Sequence, residues 1–275
     1  FVYLQSKLTF DAIKNYFKGL NKEEVYVLVF AAGIFLPYVL SGMLLAFMLF
    51  RSLLVRDLRE KIVKNSDFKF VLIFFALNLI SPIVHKNFLG LACFVGVNAI
   101  LIVMLYLRSV MNDKLIQKCF DVMAFMSMTS AIVAHLQISD EVERAPSVFF
   151  NPNYYGAIIT FVVLICFYRM MKKQSNLPFM LITILVNLYG LLKADCQSAF
   201  FCIVFGIWLM FLFNKKYALF AVTSVIGILM VVFLPKLTFI MPRISGFVHN
   251  LSLRADIWRI GLEAFKEDVL FGRGM

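Results

Sequence analysis

FLGLACFVGVNAILIVMLYL, residues 88–107, decides the fold class. The run carries no charge and no period-2 alternation, and as a helix it would extend about 30 Å, the thickness of a bilayer's hydrocarbon core. In hydrocarbon every backbone amide needs an internal partner, so only helices and closed barrels can cross, and barrel strands alternate apolar and polar side chains. The run therefore predicts an all-α, polytopic helical membrane protein.

The rest of the chain agrees. Of 275 residues, 62% are hydrophobic, 16% are charged and 31 are Phe, whereas soluble domains carry about 25% charged residues. Apolar runs recur at 25–50, 70–84, 88–107, 119–138, 154–168, 177–192, 199–213 and 217–234, which predicts eight transmembrane helices. Pro37 and Pro82 fall inside two of them and are expected to kink them. Three regions follow: an external or interfacial amphipathic segment over 1–24, a transmembrane domain over 25–234, and the start of a large external loop over 235–275.

The net charge of +11 reads as topology and not as nucleic-acid binding, because membrane proteins concentrate Lys and Arg in cytoplasmic loops. Loops 51–69, 108–118, 169–176 and 214–216 hold 14 Lys and Arg. The alternate loops 85–87, 139–153 and 193–198 hold only Lys86, Arg144 and Lys193, together with the acidic Asp140-Glu141-Val142-Glu143. This bias puts the start of the first span, the segments around Asn151 and Asp195, and the tail after Pro235 on the outer face. Four lysines before Val25 then oppose the rule, which favours a further span ahead of Phe1. The chain starts without Met and stops inside Phe271-Gly272-Arg273-Gly274-Met275, so it reads as a piece of a longer protein.

Several chemistries lack their parts. There is no Gly-rich phosphate loop, no HExxH pair and no GxSxG elbow, which argues against NTP hydrolysis, metalloproteolysis and serine hydrolysis. The five cysteines form no CxxC pair and the three histidines are scattered, so neither a metal nor a cofactor is expected. Asp121, read as lying in the first turn of its helix, is expected to complement the helix dipole there. His135 and Gln137 are expected at the outer end of the fourth span.

Two outer segments stand out. Asn151-Pro152-Asn153 opens the fifth span, where Asn caps and Pro is accepted in the first turn. In the tail, residues 252–265 read as an amphipathic helix in which Arg254 and Trp258, four apart, share a face with Leu262 and Phe265. Trp258 suits a membrane-interface anchor.

The order of these segments resembles the O-antigen ligase and O-antigen polymerase superfamily, membrane glycosyltransferases that act on undecaprenyl-linked glycans outside the bacterial cytoplasmic membrane. The shared elements are Asn-Pro-Asn opening an outer span end, a small polar outer motif two spans later, then a long outer loop with Arg-xxx-Trp and Phe-Gly-x-Gly. They cover 150–275. The resemblance implies substrate or pyrophosphate contacts from Asn151, Asn153, Trp258 and Arg273, and catalytic roles for Arg254 and Arg243. Cys196-Gln197-Ser198-Ala199 falls where members show Ser-Arg-Gly-Ala or Ser-Arg-Ser-Ala, so Gln197 replaces the pyrophosphate-binding arginine. Lys193, one turn earlier, is a substitute with a point charge and no bidentate fork. The family's later loop histidine has no counterpart here, since His249 comes too early.

The resemblance implies polymerisation of undecaprenyl-pyrophosphate-linked repeat units, or ligation of the finished glycan, on the outer face of the cytoplasmic membrane. Its partners would be the lipid-linked glycan, membrane lipid and other polysaccharide-assembly proteins, with no nucleic acid. A donor that already holds a glycosyl phosphate bond needs no nucleotide or metal cofactor, only cations or amides that stabilise the leaving pyrophosphate. The alternative class is a transporter or flippase for a lipid-linked or anionic solute, which predicts broken or charged helices at mid-membrane.

Overall fold

The computed structural model describes residues 17–84, 86–139, 143–174, 176–233, 247–267 and 269, which contain eleven helices. The predicted amphipathic segment ahead of Lys22 falls mostly outside them.

The first predicted span is two helices. Helix α1 (Lys22–Gly33) starts at a capping box in which Asn21 Oδ1 accepts from Glu24 N and Glu24 Oε2 accepts from Asn21 N, each at 2.9 Å. Pro37 does not kink a continuous helix but precedes a new one, α2 (Tyr38–Leu54). The Ser41 hydroxyl donates to the Gly33 carbonyl at 2.7 Å, satisfying an acceptor at the end of α1. Tyr26 meets Phe47 with ring centroids 5.4 Å apart, and Glu23 pairs with Arg51, so α1 and α2 fold back on each other as an antiparallel hairpin. Helix α3 (Arg56–Lys64) then turns 86° from α2, burying Leu58 and Ile62 while Arg56, Arg59, Lys61 and Lys64 stay exposed.

The remaining helices are α4 (Phe68–Val84), α5 (Phe88–Val110), α6 (Asp113–Gln137), α7 (Pro152–Met171), α8 (Leu177–Ala194), α9 (Gln197–Phe213), α10 (Tyr217–Phe233) and α11 (Phe247–Glu267). Asparagine opens four of them: Asn87, Asn112, Asn151 and Asn176 each accept from a backbone amide two or three residues on.

Among the described residues four helices, α5 to α8, are long and apolar enough to cross a membrane, or five if α2 and α3 count as one bent span. Eight spans were expected. The excess came from apolar helices that fall short among the described residues: α4, α9 and α10 have 17 described residues each, about 25 Å against a core of about 30 Å. Hydropathy reports composition and cannot see where a helix stops. The chain is nonetheless multi-pass by its apolar helices.

The core joins α6, α7, α8 and α9 around Tyr155, Ile159, Val163, Met180, Leu191 and Ala194, all buried. Two glycines permit this approach. A Cβ at Gly190 would meet the Tyr155 hydroxyl and Ala131, and one at Gly156 would meet Cys196 and Ala199. Close backbone approach through small residues is the usual basis of helix association in lipid.

The helices have two ends of different character. At one, Glu23 pairs with Arg51 and accepts from Tyr106 Oη at 2.6 Å, Glu24 accepts from Asn112 at 3.0 Å, Asp67 pairs with Arg108, and Asp121 pairs with Arg169 at 2.8 Å. The Lys- and Arg-rich loops gather there, and the start of α1 lies with them and not at the opposite end as expected. The hairpin removes the conflict that the early lysines posed. Asp121 is also reassigned: α6 begins at Asn112, two turns before the apolar run, so Asp121 lies inside the helix as the partner of a buried arginine.

Candidate functional site

At the opposite end, the loop between α6 and α7 meets the elbow between α8 and α9. Ala145 N donates to the Lys193 carbonyl at 3.0 Å, which docks the loop. Helix α8 stops because Asp195 takes the left-handed conformation, φ 43°, ψ 50°, a C-terminal geometry that Asp tolerates better than bulkier residues. The turn exposes the carbonyls of Ala194 and Asp195, and Arg144 uses both. Its Nε donates to Ala194 O at 3.1 Å and its Nη2 to Asp195 O at 3.4 Å and to Asn153 Oδ1 at 3.0 Å.

One guanidinium thus ties Asn151-Pro152-Asn153 to Asp195-Cys196-Gln197. Cys196 Sγ reaches Asn153 Oδ1 at 3.8 Å from the other side. Ala194 O, Asp195 O and Asn153 Oδ1, the three acceptors that Arg144 reaches here, are all neutral oxygens. Arginine suits anion recognition because its donors form a planar fork.

Beside this cluster lies a cavity of about 570 Å³ between the α1–α2 turn, α6 and the α6–α7 loop, lined by Phe35, Tyr38, Met126, Val133, Gln137 and Phe149 among others. Its lining is largely apolar. Gln137 Nε2 donates to Ser147 O at 2.8 Å, while Gln137 Oε1 is buried with no partner among the described residues.

No known protein family, curated protein or solved structure matches the chain.

The structure brings four of the expected site residues to this one end. Asn151 serves as the N-cap of α7, accepting from Asn153 N at 2.8 Å. Asn153 takes the Arg144 hydrogen bond. Lys193 ends α8 with Nζ 5.3 Å over the Tyr189 ring. Gln197 begins α9 with Nε2 buried and unpartnered among the described residues. Arg254 and Trp258 lie exposed on α11 with side chains that hydrogen-bond to none of the described residues, while Arg259 beside them pairs with Asp256 at 3.4 Å. Arg243 and Arg273 fall outside the described residues.

The sequence alone does not mark Arg144 as a site residue, because it stands there only as one charge of a loop. The signal it leaves is a lone arginine in a loop set with just three cations, seven residues ahead of Asn151. The pairing of His135 with Tyr189, Oη to Nδ1 at 2.8 Å, spans 54 residues and left no local trace.

Proposed function

We propose that this chain is a membrane glycosyltransferase of the O-antigen polymerase or ligase type. It would act on undecaprenyl-pyrophosphate-linked glycans at the outer face of the bacterial cytoplasmic membrane. The observation that carries the proposal is the Arg144 tie. The two segments singled out by the resemblance, Asn151–Asn153 and the elbow before Gln197, meet around one guanidinium.

In the reaction the acceptor hydroxyl attacks the anomeric carbon. The carbon–oxygen bond to pyrophosphate breaks, the pyrophosphate keeps the electron pair, and the hydroxyl proton passes to a base or solvent. The barrier falls when fixed donors meet the charge growing on the leaving group. Arg144 supplies a positive charge where the family's Ser-Arg motif is replaced by Gln197, and Lys193 supplies another on the same elbow. The apolar cavity beside them suits an isoprenoid segment. Arg254, Arg243, Trp258 and Arg273 enter as loop contacts on the strength of the resemblance.

A transporter or flippase is the second reading. The observation in its favour is the α1–α2 hairpin, because broken helices accompany transport pathways.

The test is deletion of the encoding gene, restoration as wild type or Arg254→Ala, and measurement of lipid-linked glycans and surface polysaccharide length. Single lipid-linked units on the outer face with loss of long chains mark a polymerase, and finished polymer left on the carrier marks a ligase. Units trapped on the inner face overturn the transferase in favour of a flippase.

A further inference from the structure

Outside the Arg144 cluster, three side chains form a second group on the surface of α6 and α8. Tyr189 and Lys193 lie four residues apart, so they share one face of α8, and Lys193 Nζ stands 5.3 Å over the Tyr189 ring. From α6, His135 meets the same tyrosine, with Tyr189 Oη 2.8 Å from His135 Nδ1. When the phenol donates to Nδ1, the ring proton sits on Nε2 and points away from Tyr189. Neither Nε2 nor Lys193 Nζ makes an ion pair or hydrogen bond with another of the described residues. One tyrosine therefore orients two donors, one of them charged, that lack an anion.

The surroundings say what kind of anion. Toward mid-helix from this trio, the same faces expose Ile132 at 57% on α6, and Ile182 at 54% and Leu185 at 65% on α8. In a helix long enough to cross a membrane, such a stripe faces acyl chains, and the last turn lies at headgroup depth. A ligand that fills both parts has an apolar tail against the stripe and a phosphate at the donors.

We propose that His135, Tyr189 and Lys193 form a binding site for the phosphate of a membrane lipid. The site requires that α6 and α8 span the bilayer; it shares Lys193 with the transferase reading but does not rest on that reading. Lys193 Nζ provides the charge, His135 Nε2–H donates to a second phosphate oxygen, and Tyr189 positions both. Phosphate of this kind is carried by bulk phospholipid and by polyprenyl pyrophosphate.

The test is binding to the whole purified chain, delipidated in neutral detergent and titrated by native mass spectrometry. Three probes are used: phosphatidic acid, diacylglycerol with the same tails, and a polyprenyl pyrophosphate. Phosphatidic acid should bind about tenfold or more tighter than diacylglycerol, as expected for one charge-assisted contact with a phosphate. That preference should fall to about twofold in Lys193→Gln and weaken in His135→Gln, and it should persist in Arg108→Gln at the other end of the bundle. Tyr189→Phe keeps the ring under Lys193 and loses the histidine contact, so it should resemble His135→Gln. Both histidine-side variants alter exposed positions, which leaves a folded reporter if Lys193→Gln fails to fold. Tighter binding of the prenyl probe than of phosphatidic acid identifies the carrier lipid as occupant, and equal binding identifies bulk phospholipid. Equal binding of phosphatidic acid and diacylglycerol, or a phosphate preference untouched in the variants, overturns the proposal.

Discussion

Arg144 and Asn153, nine residues apart, meet through one hydrogen bond, Nη2 donating to Oδ1 at 3.0 Å, and the same guanidinium reaches two carbonyls some fifty residues further on. Replacing Arg144 by Gln removes the charge and the fork together. A hydrogen bond to a charged group is worth about 1.5–3 kcal/mol. Transfer of lipid-linked glycan by Arg144→Gln is therefore expected to fall about 10- to 100-fold. Arg144→Lys should recover only part, since an ammonium cannot serve three oxygens in one plane. Wild-type turnover in Arg144→Gln would remove this residue from the site.

The hairpin of α1 and α2 predicts which side of the membrane sees the start of the chain. In a cysteine-free background, Lys18→Cys and Ser66→Cys should react with an impermeant thiol reagent from the same side. Ser198→Cys should react from the other side. All three positions flank helix ends. Labelling of Lys18→Cys together with Ser198→Cys would mean that α1 and α2 form one continuous crossing.

Helix class was legible because apolar composition over about twenty residues decides it, and one helix start was marked in the sequence by its asparagine cap, Asn151. Span number was not legible. Pro37 marks the break in the first run, but whether a proline kinks a helix or reverses the chain depends on Ser41 and on the Glu23–Arg51 pair across the turn. Asp121 was misread for a related reason, since the polar first turns of α6 hid its true start at Asn112. Asn151 and Asn153 could be found from spacing because they are local. Arg144 could not be tied to them, because its partners Ala194 and Asp195 are set by how α7, α8 and α9 pack.

Gly190 predicts a packing defect of known sign. A Cβ there would press on the Tyr155 hydroxyl and stand 2.9 Å from the Ala131 Cβ. Tyr155 is fully buried and Ala131 lies on a neighbouring helix backbone, so neither can yield cheaply. Gly190→Ala is expected to cost about 1–3 kcal/mol by overpacking. Gly42→Ala, where nothing lies within 4 Å of the new Cβ, should be neutral or slightly stabilising. Thermal unfolding of both in the same detergent compares them directly, and equal midpoints would refute the packing account.

The Asp121–Arg169 pair sets a buried cation against a partly open anion. The Arg169 side chain is 5% exposed and that of Asp121 38%, with Oδ1 2.8 Å from Nη1. Arg169 Nε is also buried without a hydrogen-bond partner among the described residues, so the ion pair matters more to this arginine than to its partner. Removing the carboxylate in Asp121→Leu strands the charge. Breaking a buried pair costs about 3–5 kcal/mol, and solvent at Asp121 lowers the expectation to about 1–3 kcal/mol. The double variant Asp121→Leu/Arg169→Met replaces the pair with apolar side chains and should recover most of that loss. A double variant less stable than Asp121→Leu would mean that Arg169 has a stabilising role beyond its partner. Chemical unfolding of the three chains side by side decides between the two.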